Sequence, residues 1–213
     1  LTKQGPASID LGGAPIGFTI WADNTGTSTA FNAVIQDQLP SQMRATTPAS
    51  ITVARFDTIG GTQQALLALT TDYTVSYSSA TGDLVITLLD TAAAIVADNE
   101  VLRIQYNAQL DNVTGAELAA LSGSNITNIA AATQWNSVPS TNGDGRSYNN
   151  TFNAGTNADA DDFQAAHSIA VNSPVLNLVK SVQNATNALS TPNADPGDTL
   201  SYSVVINNTG NIA

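Results

Sequence analysis

The chain has 213 residues, no cysteine, and a formal net charge of −11 with only 6 Lys+Arg. That balance excludes the basic patches that nucleic acid and anionic membrane surfaces require. The missing cysteines exclude disulfides, thiolate metal sites and a cysteine nucleophile.

The length suffices to bury a substantial core, and no run approaches the ~20 apolar residues of a membrane-spanning helix. The first residue is Leu1 rather than Met, which reads as a processed or excised start. Period-two alternation then dominates, the mark of half-buried strands. Lys3 shares a face with Leu1. Ile16, Phe18, Ile20 and Ala22 line one strand face, and Phe31, Ala33, Ile35 and Asp37 line another that ends at Leu39-Pro40. Further strands are expected over 50–56, 72–78 and 83–89. A longer one carries Leu102, Ile104, Tyr106, Ala108 and Leu110 on one face, and two more span 125–135 and 163–171. Turn signals separate them at Asn24-Thr-Gly26, Gly60-Gly61 and Thr81-Gly-Asp83. Thr114-Gly-Ala-Glu117 has capping-box spacing and predicts a short helix with Leu118 and Leu121. The Ala-rich run 90–99 can hold another helical turn. Thr141 to Asp162, rich in Asn, Gly, Asp and Thr, reads as an exposed loop. The expected fold is all-β: an antiparallel immunoglobulin-like β-sandwich with at most one or two short helices.

The chain also carries the opening of one domain twice. Gly13-Ala-Pro-Ile-Gly-Phe-Thr-Ile-Trp-Ala-Asp-Asn-Thr-Gly26 matches Gly197-Asp-Thr-Leu-Ser-Tyr-Ser-Val-Val-Ile-Asn-Asn-Thr-Gly210 at a constant offset, 197 − 13 = 210 − 26 = 184. A lysine precedes each copy, Lys3 and Lys180. The expected organisation is a complete domain over 1–174, bounded by Pro174, then the first strands of a second copy over 175–213. Such duplication is the signature of tandem arrays. An isolated hairpin is marginal in water. The opening strands of the second copy therefore either begin a further domain or add to a sheet of a neighbouring subunit.

Several polar residues fall on faces that should be buried. Lys180 lies among Leu176, Leu178 and Val182. Asp37 continues an apolar face, and Asn128 shares one with Ile126, Ala130 and Ala132. A lone buried ammonium is costly, so an inward lysine needs a partner or must lose its charge. One chemistry answers both demands. A neutral lysine amine attacks the carboxamide carbon of an asparagine, ammonia leaves, and an isopeptide bond remains. A nearby carboxyl polarises the carbonyl and shuttles the proton, and burial favours the neutral form of both groups. Lys3, Asn128 and Asp37 have the right residue types, and the first and last strands of a sandwich can lie side by side. The competing reading has Lys3 snorkelling at a sheet edge, Asp37 capping the turn before Pro40, and Asn128 pairing with backbone.

The run Phe18-Thr-Ile-Trp-Ala-Asp-Asn-Thr-Gly26, the strand Ala30 to Pro40 with its Asp37-Gln-Leu-Pro40 ending, and Ile126-Thr-Asn128-Ile-Ala130 together resemble the repeated immunoglobulin-like domains of bacterial surface proteins and fimbrial subunits. Lys180-Ser-Val, Asp195-Pro-Gly-Asp-Thr-Leu-Ser-Tyr202 and Asn208-Thr-Gly210 resemble the start of such a repeat. The resemblance covers the front, 125–135 and the tail; residues 136–172 extend past the usual domain end. It implies a bond between Lys3 of the first strand and Asn128 of a late strand, assisted by Asp37, with Lys180 the equivalent lysine of the second copy. It also implies an extracellular, cell-surface location and copies of itself or adjacent repeats as partners.

Other candidates carry weaker signals. Asp144, Asp159, Asp161 and Asp162 supply oxygens suited to Ca²⁺ but lack EF-hand or β-roll spacing, so no cofactor is expected. His167 stands alone among histidines, which leaves a metal site or Ser-His relay without support. Trp21, Trp135 and Tyr148 can form a sugar-stacking patch. Asn112, Asn125 and Asn184 open Asn-x-Thr sequons, which an Asn- and Thr-rich chain contains by chance. No paired-carboxylate motif, nucleophile elbow or phosphate loop points to an enzyme. The expected function is a structural repeat unit of an extracellular bacterial fibre, pilus-like filament or stalk. The alternative is an adhesin or binding module of a large surface protein that recognises a glycan or a surface receptor through the 141–162 loop, with or without Ca²⁺.

Overall fold

A computed structural model describes the chain except for residues 12, 46–49, 111–116, 118–119, 154–162, 187–192 and 211–213. The described strands are β1 (Thr2–Gln4), β2 (Ser8–Asp10), β3 (Ile16–Asp23), β4 (Phe31–Gln38), β5 (Met43–Ala45), β6 (Thr52–Phe56), β7 (Gln63–Leu66), β8 (Tyr73–Tyr77), β9 (Asp83–Leu88), β10 (Val101–Leu110), β11 (Asn125–Asn136), β12 (Ser147–Asn149), β13 (Gln164–Asn172), β14 (Leu176–Asn184) and β15 (Leu200–Asn208). They form two facing sheets and a separate hairpin. The first sheet runs β1-β3-β10-β6-β7, with β5 also on β10. The second runs β2-β13-β11-β4-β9-β8, with β12 on β11. Pairing is antiparallel except where β2 meets β13. Phe18, Ile20 and Ile104 from one sheet and Ile35, Leu84, Ile86 and Ile169 from the other close the core between them. The fold is an immunoglobulin-like β-sandwich.

The alternating segments all become strands, because each offers one apolar face to the space between the sheets. Two local expectations change. Residues 90–99 form turns and a bridge rather than a helix, since Ala30 and Val96 exchange both backbone hydrogen bonds at 2.8 and 3.0 Å and hold that run extended. The 141–162 segment is not all loop: Ser147–Asn149 adds a short strand to the end of β11, placing Tyr148 opposite Trp135. Glu117, Ala120 and Leu121 are helical as expected, while the Thr114 cap lies outside the described residues.

The turn between β8 and β9 depends on Gly82. Its φ of 76° lies in the left-handed region, and an added Cβ would stand 2.5 Å from the Leu39 carbonyl oxygen. That loop cannot retreat, because the Gly82 carbonyl accepts the Leu39 N–H at 3.1 Å. Gly82→Ala is therefore expected to destabilise the domain by roughly 2 kcal/mol, from the left-handed penalty and the contact together. Urea unfolding measures it, and an unchanged midpoint would show that the turn relaxes freely.

The tail repeats the head in register as well as in sequence. In β1 and β3, Lys3 stands opposite Ile20; in β14 and β15, Lys180 stands opposite Val204. Val204 is Ile20 shifted by 184. The lysine partners differ by 180 − 3 = 177, so the second copy has a connection seven residues longer but keeps the same pairing. The turn chemistry also recurs: the Gly26 N–H donates to Asn24 Oδ1 at 3.2 Å, and the Gly210 N–H to Asn208 Oδ1 at 2.9 Å. One difference stands out. The face holding Leu178, Tyr202, Val204 and Ile206 is exposed in this chain, whereas Phe18 and Ile20 at the matching head positions are buried.

Candidate functional site

Four side chains from four strands meet at the centre of the sandwich. From the first sheet come Lys3 on β1 and Tyr106 on β10, which flank β3 on either side: Lys3 pairs with Ile20, and Tyr106 pairs with Phe18. From the second sheet come Asp37 on β4 and Asn128 on β11. Asp37 stands opposite Ala130, so Asn128, two residues along on the same face, is its diagonal neighbour. All four are buried.

The polar atoms form one chain of contacts. Lys3 Nζ donates to Asp37 Oδ2 in an ion pair whose side chains are fully buried. The Tyr106 hydroxyl donates to the same Oδ2 at 2.6 Å. Asn128 Nδ2 donates to the Tyr106 oxygen at 2.7 Å. Asp37 Oδ1 and Asn128 Oδ1 have no hydrogen-bond partner among the described residues. Two buried acceptors left unmatched in one cluster are costly, and each calls for a specific reason. Aromatic rings wall the site. Phe18 stacks on Tyr106 with centroids 5.3 Å apart, and Lys3 Nζ lies 5.5 Å from the Phe18 centroid.

This enclosure sets the protonation of the cluster. Burial pulls Lys3 down to about 8 from 10.5, against the opposing charge and hydrogen bond of Asp37. Burial, with the Asp37 charge behind it, pushes the Tyr106 phenol well above its usual 10. The site thus holds an amine that is readily made neutral beside a phenol that stays protonated. A neutral amine is a nucleophile, and a buried carboxamide is an electrophile.

The structure brings Lys3, Asp37 and Asn128 together, but not as neighbouring first and last strands. β1 and β11 lie in opposite sheets, and β13 follows β11. A bond between Lys3 and Asn128 would therefore cross the core. Asp37 is linked to the Asn128 amide through Tyr106 rather than directly. Sequence reasoning placed Tyr106 among the core residues and missed its polar role. Its signal was an inward tyrosine, which needs a hydroxyl partner, on a face otherwise aliphatic.

The remaining candidates separate. Lys180 is exposed and lies 4.9 Å from the Tyr202 ring centroid. Tyr202 is Phe18 shifted by 184, so the lysine-over-ring contact of the head recurs in the tail. Asp144 is exposed, while Asp159, Asp161 and Asp162 lie outside the described residues. Among the described residues no group of three or more acidic or histidine side chains is placed to hold a metal. His167 bonds the Pro6 carbonyl at 2.9 Å and edges onto Phe18. Trp21 is buried against Phe56 in the first sheet, apart from the Trp135–Tyr148 stack, whose centroids lie 5.5 Å apart. That stack borders a recess of about 290 Å³ rimmed by Asn24, Thr27, Ser28 and Asn136. Asn184 is buried on Asp198 at 2.7 Å, Asn125 is exposed, and Asn112 lies outside the described residues.

No family model matches the chain, and no curated protein does. Among solved structures it is similar to the full-length major pilin SpaD of Corynebacterium diphtheriae, at 17% identity and a TM-score of 0.44 over 82% of this chain and 34% of that one. It is also similar to the collagen-binding subdomain of the Enterococcus faecalis surface protein ACE, at 13% identity and 0.40 over 77% and 92%. A third is the pilus backbone RrgB of Streptococcus pneumoniae, at 10% identity and 0.41 over 93% and 41%. The chain thus spans about a third of the SpaD chain. Identities this low transfer no residue roles.

Proposed function

We propose that the chain is a structural repeat of an extracellular bacterial fibre or surface stalk, whose sandwich is closed by an isopeptide bond between Lys3 and Asn128. The observation that carries this reading is the buried chain Lys3–Asp37–Tyr106–Asn128. Asp37 takes a proton from the Lys3 ammonium. The neutral Nζ attacks Asn128 Cγ, the Nζ–Cγ bond forms, the Cγ–Nδ2 bond breaks, and ammonia leaves. The turnover is single and on the protein itself, so the chain is not an enzyme toward external substrates.

The location of the bond gives it a purpose. β1 is three residues long and sits at the edge of its sheet, paired only with β3. A pull on the N-terminal end would peel it with few hydrogen bonds to break. A covalent link to β11, an interior strand of the opposite sheet, ties that edge across the core. The repeated register of β14 and β15 supports a tandem arrangement, with 1–174 as one unit and 175–213 opening another. The uncovered apolar face around Lys180 would then be closed by further strands, from the next unit or by strand addition from a neighbouring subunit. The adhesin reading has in its favour the Trp135–Tyr148 recess and the larger neighbouring pocket of about 480 Å³ that Trp135 also lines.

The test is the intact mass of the purified, fully denatured chain. The expected result is a mass one ammonia below the sequence value, with a branched Lys3–Asn128 peptide on digestion. The unmodified mass would remove the bond and leave a non-covalently held repeat.

A further inference from the structure

We infer that Tyr106 is a catalytic residue of the crosslinking reaction, relaying a proton from Asp37 to the departing nitrogen of Asn128; this rests on the isopeptide reading above. The reaction has a bookkeeping problem that Lys3, Asp37 and Asn128 do not solve alone. The attacking Nζ must shed a proton, and the leaving Nδ2 must gain one to depart as ammonia. Asp37 touches the first nitrogen, but neither of its oxygens bonds the second: Oδ2 accepts from Lys3 and Tyr106, and Oδ1 has no partner among the described residues. The Tyr106 hydroxyl touches both Asp37 Oδ2, at 2.6 Å, and Asn128 Nδ2, at 2.7 Å. Among the described residues it is the one group that joins the two ends of the proton path.

The direction of transfer follows from the chemistry of the amide. Before attack, Nδ2 is planar, its lone pair is delocalised into the carbonyl, and it can only donate to Tyr106. When Nζ adds to Cγ, the carbon becomes tetrahedral, the delocalisation ends, and Nδ2 becomes a basic amine. The same 2.7 Å contact then reverses. Tyr106 gives its proton to Nδ2 and takes one from Asp37 Oδ2, which takes one from Nζ. Cγ–Nδ2 cleavage releases ammonia; Tyr106 ends as it began, and Asp37 ends holding the other proton, the one it first took from the Lys3 ammonium. One proton has moved along the wire, one C–N bond has formed and one has broken. A phenol fits this task because its enclosure keeps it protonated, and the ring is held in place by its stack on Phe18.

Tyr106→Phe removes the hydroxyl and keeps that stack. Wild type, Tyr106→Phe and Asn128→Ala chains are made by cell-free synthesis and quenched into denaturant at timed intervals, and the loss of one ammonia is followed by intact mass. The expected result is that Asn128→Ala never loses it, and that Tyr106→Phe, folded by circular dichroism, loses it about 100-fold more slowly than wild type. A Tyr106→Phe chain as fast as wild type overturns the relay and leaves the crosslink standing. A wild-type chain that never loses ammonia overturns the crosslink reading itself. If Tyr106→Phe does not fold, wild type made with 3-fluorotyrosine decides. Its more acidic phenol has nearly the same shape and is expected to speed ammonia loss several-fold. An unchanged rate there counts against any proton transfer through Tyr106, because a purely structural tyrosine would not sense the acidity of its hydroxyl.

Discussion

Asn128→Ala is expected to lower the thermal midpoint by roughly 10–20 °C relative to the crosslinked wild type. The magnitude follows from loop closure. A bond from residue 3 to residue 128 encloses 128 − 3 = 125 residues, and a crosslink over a loop of that order restricts the unfolded chain by about 5 kcal/mol. For a chain of this size each kcal/mol moves the midpoint by about 2–4 °C. The hydrogen bond from Asn128 Nδ2 to Tyr106 contributes nothing to this difference, because Nδ2 has left the crosslinked chain as ammonia. Most of the shift therefore belongs to the covalent link. Lys3→Met gives a second uncrosslinked chain, which keeps Asn128 and Tyr106 paired but leaves Asp37 buried without its cation and so falls further. Scanning calorimetry of the three proteins separates the contributions. Midpoints within a few degrees of one another would mean that the bond, even if formed, does little for resistance to heat.

The same geometry governs resistance to force. With the bond in place, tension entering at β1 passes to β11, which pairs with β13 over 125–131 and with β4 over 129–136. Without it, β1 holds through its three-residue pairing with β3 and the Lys3–Asp37 ion pair, neither of them covalent. An edge strand so short is a weak terminus for a domain in series with others. The recurrence of lysine and register in β14 and β15 is what a chain of such domains requires, because each unit meets the same load at the same place.

How much of this was legible depends on what each residue violates. Lys3, Asp37 and Asn128 could be found because each breaks a period-two apolar face, and a buried polar group must have a reason. Tyr106 breaks nothing: its ring suits an inward position, and only its hydroxyl is out of place. Period two also says which face a residue takes, not which sheet its strand joins. Lys3 and Asn128 could therefore be read as neighbours when they face each other across the core. The Ala-rich run at 90–99 suggested helix from composition, but the backbone pairing of Ala30 with Val96 claims it. The three residues of β12 sit among Asn, Gly and Asp, where no alternation is long enough to see, and the pairing of Tyr148 with Trp135 makes the strand. The tail is the opposite case. Its repeat was plain in the letters, and the equal registers of Lys3 with Ile20 and Lys180 with Val204 show that the likeness extends to the pairing itself.

Asp37→Ala is expected to abolish the crosslink and, beyond that, to destabilise the fold by about 3–5 kcal/mol at pH 7 relative to Asn128→Ala, which also lacks the bond. The reason is the charge left behind. Lys3 stays enclosed by Phe18 and Tyr106, and its carboxylate partner is gone. The pH dependence separates this cause from a mere cavity. In Asn128→Ala, Lys3 keeps Asp37 and a folded pKa depressed to about 8, below the unfolded 10.5. Between those values the unfolded chain holds the proton that the folded chain has released, so stability rises with pH, by up to about 3 kcal/mol if the full window is crossed. The gain is cut short above about 10, where the unfolded Tyr106 ionises before the folded one and stability falls again. In Asp37→Ala both effects that hold the Lys3 value up are lost, so the amine goes neutral at lower pH and the rise begins earlier. The deficit of Asp37→Ala against Asn128→Ala should therefore be largest near pH 6 and shrink by pH 9.5. The crosslinked wild type should show no rise from this source, because its Lys3 nitrogen is an amide. Urea unfolding of the three proteins at pH 6 and pH 9.5 measures all of this. A deficit that is the same at both pH values would assign the loss to packing and deny Lys3 its buried charge.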